Sequence, residues 1–142
     1  MRLTTFTDIG LRALMYLATR PEGYKSSISE VTEAYDLSRN HVVKVVHQLA
    51  RAGLIHSIRG KGGGIMLGKP ADEIRIGQVV MALEESLQVV DCTKPVCKIL
   101  PACRLKGVLQ EGVDAFIGVL DQYTLSDLIG NKKDLIPLLI HN

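Results

Sequence analysis

Apolar residues recur at three- and four-residue intervals through Phe6, Ile9, Ala13, Leu14 and Leu17, the period of a helix with one buried face. Thr5 or Thr7 is placed to cap its start, and Pro21 with Gly23 ends it. Ser27 followed three residues later by Glu30 is a capping box, which predicts a short helix through Ile28, Val31 and Ala34 up to Tyr35. After a brief turn at Asp36 and Leu37, Ser38 is placed to cap a third helix with Val42, Val45, Val46 and Leu49 on one face and Gly53 just past its end. Two helices joined by so tight a turn have helix-turn-helix spacing. The segments Leu54 to Arg59 and Ile65 to Leu67 flank Gly60-Lys61-Gly62-Gly63-Gly64, a hairpin with a glycine-rich, cationic tip. A hairpin directly after the third helix predicts a winged helix.

Beyond Pro70 the pattern weakens. Ile76, Val79, Val80 and Leu83 predict a fourth, short helix; Glu84 to Pro101 has no helical period, carries Pro95 and Pro101, and reads as an irregular binding loop. From Ala102 to about Tyr123 a long helix is expected, with Leu105, Val108, Leu109, Phe116, Val119, Leu120 and Tyr123 as its stripe. That stripe needs a partner: the same helix of a second subunit, giving a two-fold dimer, or the helix's own domain. Gly107, Gly112 and Gly118 interrupt it, each costing up to about 1 kcal/mol relative to alanine unless it permits close backbone approach. Ser126 to Ile129 reads as a turn, and Lys132 to Asn142 carries no assignable pattern. The expected organisation is a winged helix-turn-helix domain over 1–75, a short helix and cysteine-bearing loop over 76–101, a dimerisation helix and turn over 102–130, and a tail over 131–142. The fold class is mainly α with a small β-hairpin.

The chain has 142 residues, 46% apolar and 23% charged, which excludes a disordered polymer and leaves side chains for a core. No run reaches membrane-span length and no cationic stretch leads into an apolar one at the start, so a cytoplasmic protein without membrane contact is expected. The net charge of +2 conceals an asymmetry: Met1 to Arg75 holds 11 basic and 7 acidic residues, Ile76 to Asn142 6 basic and 8 acidic. The first half can face a polyanion. With the valines and Leu49 inward, the third helix displays Arg39, Asn40, His41, Lys44, His47, Gln48 and Arg51. Arg and Asn can pair with guanine and adenine edges in the major groove, whereas Lys more often meets phosphate. At the wing, glycines admit close backbone approach, and Arg59 with Lys61 is expected in or beside the minor groove. A nucleotide-binding loop is a poor competitor, because the tip lacks the Gly-x-x-x-x-Gly-Lys-Ser/Thr pattern and a strand follows it. The candidate DNA-binding set is Ser38, Arg39, Asn40, His41, Lys44, His47, Arg59 and Lys61, with double-stranded operator DNA as the partner.

Cys92, Cys97 and Cys103 are spaced x4 and x5 on one segment. Three thiolates suit a single four-coordinate metal or an iron-sulfur cluster, each needing a fourth donor; cysteines buried singly among apolar neighbours are the plain alternative. Zinc is a rival, though structural zinc sites usually pair cysteines two to four residues apart, and the wider intervals suit a larger object. No histidine lies nearby: His41, His47 and His56 belong to the basic half and His141 to the tail, and all read as surface residues. Nothing suggests catalysis; adjacent Glu84 and Glu85 would diverge on a helix.

Leu3-Thr4-Thr5-Phe6-Thr7-Asp8-Ile9-Gly10-Leu11-Arg12-Ala13-Leu14, Ser38-Arg39-Asn40-His41, Arg59-Gly60-Lys61-Gly62-Gly63-Gly64 and Pro101-Ala102-Cys103-Arg104-Leu105-Lys106 resemble the nitric-oxide-sensitive repressors of the Rrf-type winged-helix family, up to about Ile129. The family's cluster-assembly regulators have one more residue between the first two cysteines and a nearby histidine ligand. Here the spacing is x4, with Lys106 and Gly107 in that vicinity, which argues against that branch. The resemblance implies a homodimer holding one iron-sulfur cluster per subunit through Cys92, Cys97 and Cys103, four-iron four-sulfur favoured and two-iron two-sulfur possible, with Asp8 of the other subunit as fourth ligand. It implies a repressor that releases its operator when nitric oxide nitrosylates the cluster. A factor sensing cluster supply, iron or oxidants through the same cysteines is the alternative, and a small iron-sulfur electron carrier a third; the last leaves the wing and third helix without a role.

Overall fold

A computed structural model describes residues 2–140; His141, one of the expected surface histidines, lies outside them. The first helix, α1, spans Thr5–Thr19. Its cap is Thr4 rather than Thr5 or Thr7, with the Thr4 hydroxyl accepting from the Thr7 amide at 3.4 Å. Ile9, Ala13, Leu14 and Leu17 face inward as their spacing predicts. A turn closed by the Tyr24 amide on the Pro21 carbonyl, with Gly23 at φ +79°, reverses the chain. Helix α2, Ile28–Tyr35, opens on the expected box, Ser27 and Glu30 bonding reciprocally at 3.1 and 3.3 Å. Asp36 takes a left-handed conformation at φ 52° and turns the chain into α3, Arg39–Arg51. Ser38 occupies the cap position of α3, but its side chain makes no cap hydrogen bond, so the first amides of this solvent-facing end stay open to water.

Strands β1, Ile55–Ile58, and β2, Gly64–Leu67, pair antiparallel in the register Ile55 with Leu67 and Ile58 with Gly64. Ser26 adds a rung on the outer side, its amide and carbonyl bonding those of Ile65 at 2.9 and 2.8 Å. Helix α4, Ile76–Leu83, follows a single 3₁₀ turn at Ala71–Glu73 and packs on α1 and α3. Gly10 lies at that approach, where a Cβ would run into the Leu83 side chain.

The long helix α5 is Leu105–Leu120, shorter at both ends than the expected span from Ala102 to about Tyr123. Pro101 lies inside a separate 3₁₀ turn, Leu100–Ala102, which excludes Ala102 from the helix, and Tyr123 falls in the turn that follows. Thr124 and Asp127 form a second capping box opening α6, Leu125–Leu128. Paired bonds of Ile76 to Tyr123 at 3.0 Å and Leu125 to Ile74 at 2.8 Å return this segment to the start of α4. The last stretch, patternless in sequence, is a helix, α7, Lys132–Leu139, docked on α1 and α2 through Leu135 and Leu139. One core therefore gathers α1 to α4, the hairpin, α6 and α7, and α5 packs on α4 and reaches that core through Leu120.

Candidate nucleic-acid interface and cysteine loop

Helix α3 buries Val42, Val45, Val46 and Leu49 and leaves Arg39, Asn40, His41, Lys44, His47 and Arg51 exposed, together with Ser38 ahead of it. Gln48 departs from the expected face. It is half-buried and donates to the Ala82 carbonyl at 3.4 Å, which ties α3 to α4. Arg39 also has a neighbour the sequence does not reveal: its guanidinium donates to the Ser29 hydroxyl at 2.9 Å, holding it near the start of α2. Arg59 and Lys61 are exposed at the wing, where the Gly63 amide bonds the Gly60 carbonyl at 3.0 Å and Gly60 and Gly62 take positive φ.

The three cysteines are free and half-buried, on consecutive tight turns. The Cys97 amide donates to the Cys92 carbonyl at 3.1 Å, the Leu100 amide to the Cys97 carbonyl at 3.2 Å, and the Cys103 amide to the Leu100 carbonyl at 3.5 Å. Asp91 shapes the first turn, accepting from the Thr93 hydroxyl at 2.6 Å and the Thr93 amide at 2.8 Å. Those bonds hold its carboxyl below the ordinary range. Among the described residues no group of three His, Cys, Asp or Glu side chains converges on one metal ion. Three soft sulfur donors on one loop, none of them in a disulfide, fit an iron-sulfur cluster, which Cys92, Cys97 and Cys103 would hold.

Asp8 is half-buried on α1 and is paired with Arg12 one turn on, at 3.0 Å. Within the protomer it does not gather with the cysteines. Arg12 in turn lies over the Tyr35 ring, 6.0 Å from its centroid, and its carbonyl accepts from the Tyr35 hydroxyl at 2.8 Å. Burial pushes that hydroxyl up to about 12 against the opposing pull of Arg12, so it remains a donor at all physiological pH values. Tyr35 ends α2 beside the turn into α3, so α1 is joined through Arg12 to the turn that sets the third helix. Neither Arg12 nor Tyr35 stood out in the sequence, because the bond links residues 23 apart.

Glu84 has a structural partner set. Its carboxylate accepts from the Thr4 amide at 3.2 Å and from the hydroxyls of Thr4 and Thr7, closing the end of α4 onto the start of α1. An open cavity of about 640 Å³ adjoins it, lined by Thr4, Phe6, Gln48, Leu83, Glu84 and Ser86. Partial burial pushes the Glu84 carboxyl up, and the threonine donors outweigh this and bring it below its ordinary 4.5. A lowered carboxyl contributes stability that is present above pH 4.5 and is lost as pH falls through the folded-state value. Glu84→Gln is therefore expected to flatten the acid limb of stability against pH below about pH 4.5, measured by urea unfolding from pH 7 to pH 3. An acid limb identical to that of the parent protein would remove this role.

On α5, Val113 is buried, while Leu105, Val108 and Val119 are among the most exposed large apolar side chains of the protomer. Gly107, Gly112 and Gly118 have no atom within 4 Å of where a Cβ would stand, so none serves a close approach inside the protomer. No helix among the described residues is long and apolar enough to cross a membrane.

Comparison with solved structures places this architecture among bacterial regulators. The chain is similar to CymR (YrzC), the global cysteine regulator of B. subtilis, at 27% identity and a TM-score of 0.71, over 92% of this chain and 98% of that one. It is similar to the oxidized form of Staphylococcus aureus CymR at 31% identity and 0.69, over 90% and 95%. Similarity to T. potens IscR covers all of this chain and 93% of the other at 25% identity and 0.74. A family model described as Rrf2, iron-dependent transcriptional regulator, matches residues 3–131, taking in the α1 sequence, the wing and all three cysteines. With that match and a winged helix of the same shape, the chain belongs to the Rrf2 family, whose members are transcriptional regulators and not enzymes.

Proposed function

We propose that the protein is a homodimeric iron-sulfur repressor of the nitric-oxide-sensitive, NsrR type, binding a near-palindromic operator and releasing it on exposure to nitric oxide. The observation that carries the reading is the set of three free, half-buried thiols on successive turns immediately before α5. In this reading Cys92, Cys97 and Cys103 hold the cluster, and Asp8 from the second subunit supplies the remaining ligand. When bound, such a cluster supplies an iron centre that reacts with nitric oxide and an oxygen-ligated corner more labile than its sulfur-ligated ones.

The chain's own residues then do the switching. Asp8 is paired with Arg12 in the protomer, so recruiting its carboxylate as a ligand competes with that pair. Arg12 touches Tyr35 beside the turn into α3, and α1 packs directly on α3, so a displacement at Asp8 bears on the recognition helix. Arg39, Asn40 and His41 enter the major groove by the helix start, with Ser38 and Lys44 on the flanking phosphates and His47 further along the groove. Arg59 and Lys61 meet the adjacent minor groove. Two such heads engage half-sites about 34 to 36 Å apart, so a small rotation between subunits abolishes simultaneous contact.

Anaerobic purification with an absorption spectrum and iron and acid-labile sulfide counts tests the cluster. Binding to a duplex selected by the protein from a randomised pool, before and after stoichiometric nitric oxide, tests the switch. Colourless protein carrying zinc or nothing would overturn the first, and equal affinity before and after nitric oxide the second. A second reading, oxidant sensing through the same cysteines, draws on the likeness to a regulator solved in an oxidized form. It predicts release by peroxide and not by nitric oxide.

A further inference from the structure

The wing tip is a run of four glycines around Lys61, a composition with little conformational preference of its own. Its base is secured by the two bonds between Ser26 and Ile65. That approach is close: a Cβ on Gly64 would lie 2.7 Å from the Ser26 carbonyl oxygen and 3.0 Å from the Lys25 Cβ. The tip itself is held from outside the hairpin, where the Lys25 ammonium donates to the Gly62 carbonyl at 3.2 Å. Gly62 directly follows Lys61 and lies three residues from Arg59, so this bond sets where both cations stand. Lys25 is itself well founded. The preceding Tyr24 stacks under the Arg20 guanidinium at 4.1 Å and donates to Glu30 at 2.9 Å, and the following Ser26 is fully buried.

We propose that Lys25 is a positioning residue for DNA binding, a strut from the loop between α1 and α2 that fixes the glycine tip so that Lys61 and Arg59 meet the duplex together with α3. The inference rests on the DNA-binding reading of the wing. It assigns Lys25 a role distinct from a phosphate contact, because the bonded partner is the wing's own backbone.

Lys25→Met keeps the stem and removes the donor. Because Lys25 is exposed, the variant is expected to match the parent in melting temperature. In the free protein, amide hydrogen exchange over residues 60–64 should accelerate several-fold. On a duplex of about 30 base pairs selected by the parent protein, affinity should fall about tenfold, with Lys25→Arg recovering most of it. In a background with both Arg59→Met and Lys61→Met the same change should cost less than about twofold, because a tip without its cations has little left to position. Unchanged exchange at the tip, or unchanged affinity, overturns the proposal. Fully additive losses also overturn it and make Lys25 an independent phosphate contact. A parent protein that selects no duplex overturns the DNA-binding reading beneath it, a failure seen before any Lys25 variant is made.

Discussion

Cys97→Ala is expected to yield a folded protein that purifies colourless under anaerobic conditions, loses its iron and sulfide, and binds its selected duplex about 5- to 150-fold more weakly, the usual range of coupling between two sites. Cys97 is half-buried in an irregular loop and belongs to no part of the core, so its truncation removes little packing. Its backbone bonds to Cys92 and Leu100 use main-chain atoms that alanine retains, so the turn survives. What disappears is one of the three sulfur donors proposed for the cluster, and a cluster deprived of a protein ligand is not held. Circular dichroism and melting should therefore match the parent while colour and affinity fall together. Arg39→Ala supplies the contrast: it should keep the colour and cost about 1–3 kcal/mol in duplex binding, as for loss of a paired contact to a base edge. Were the two variants to behave alike, the division of labour between loop and recognition helix would be wrong.

Val108→Asp on α5 is expected to convert a dimer into a monomer. Leu105, Val108 and Val119 are 59, 61 and 53% exposed, and with Gly112 and Ala115 between them they fall on one line with intervals of three and four, the spacing of a helix seam. Gly112 lies mid-seam with open space before it, where a second helix can approach its backbone. A two-fold interface would receive the new carboxylate twice, each costing several kcal/mol when desolvated without a partner. The dimer dissociation constant should rise at least about a hundredfold in sedimentation equilibrium, and duplex affinity should fall by about 10²- to 10⁴-fold as bivalency is lost. Since Val108 is exposed in the protomer, the monomer should still be folded. A Val108→Asp protein that sediments unchanged as a dimer would place the interface elsewhere.

The winged helix was readable because its signals are local. Ser27 and Glu30 sit three residues apart, the Val42 to Leu49 stripe repeats within one helix, and the glycine tip separates two short strands. Where the reading slipped, a distant residue decided. Thr4 displaces Thr5 and Thr7 as the cap of α1 while also bonding Glu84, 80 residues on, and Gln48 turns from the reading face to meet Ala82. Helix α7 was invisible because Pro137 breaks its pattern and its stability comes from a surface built by α1 and α2.

Periodicity, capping residues and cysteine spacing in this chain determine helices α1 to α5, the wing, the basic face of α3 and the loop of three thiols, because each depends on neighbours a few residues apart. Tertiary structure alone decides that α6 and α7 close one core with the winged helix, that α5 keeps an apolar face outward, and that Lys25 reaches the wing tip. Those outcomes join residues tens of positions apart, and burial and hydrogen bonding between such residues depend on where the folded chain carries them, which short-range patterns do not encode.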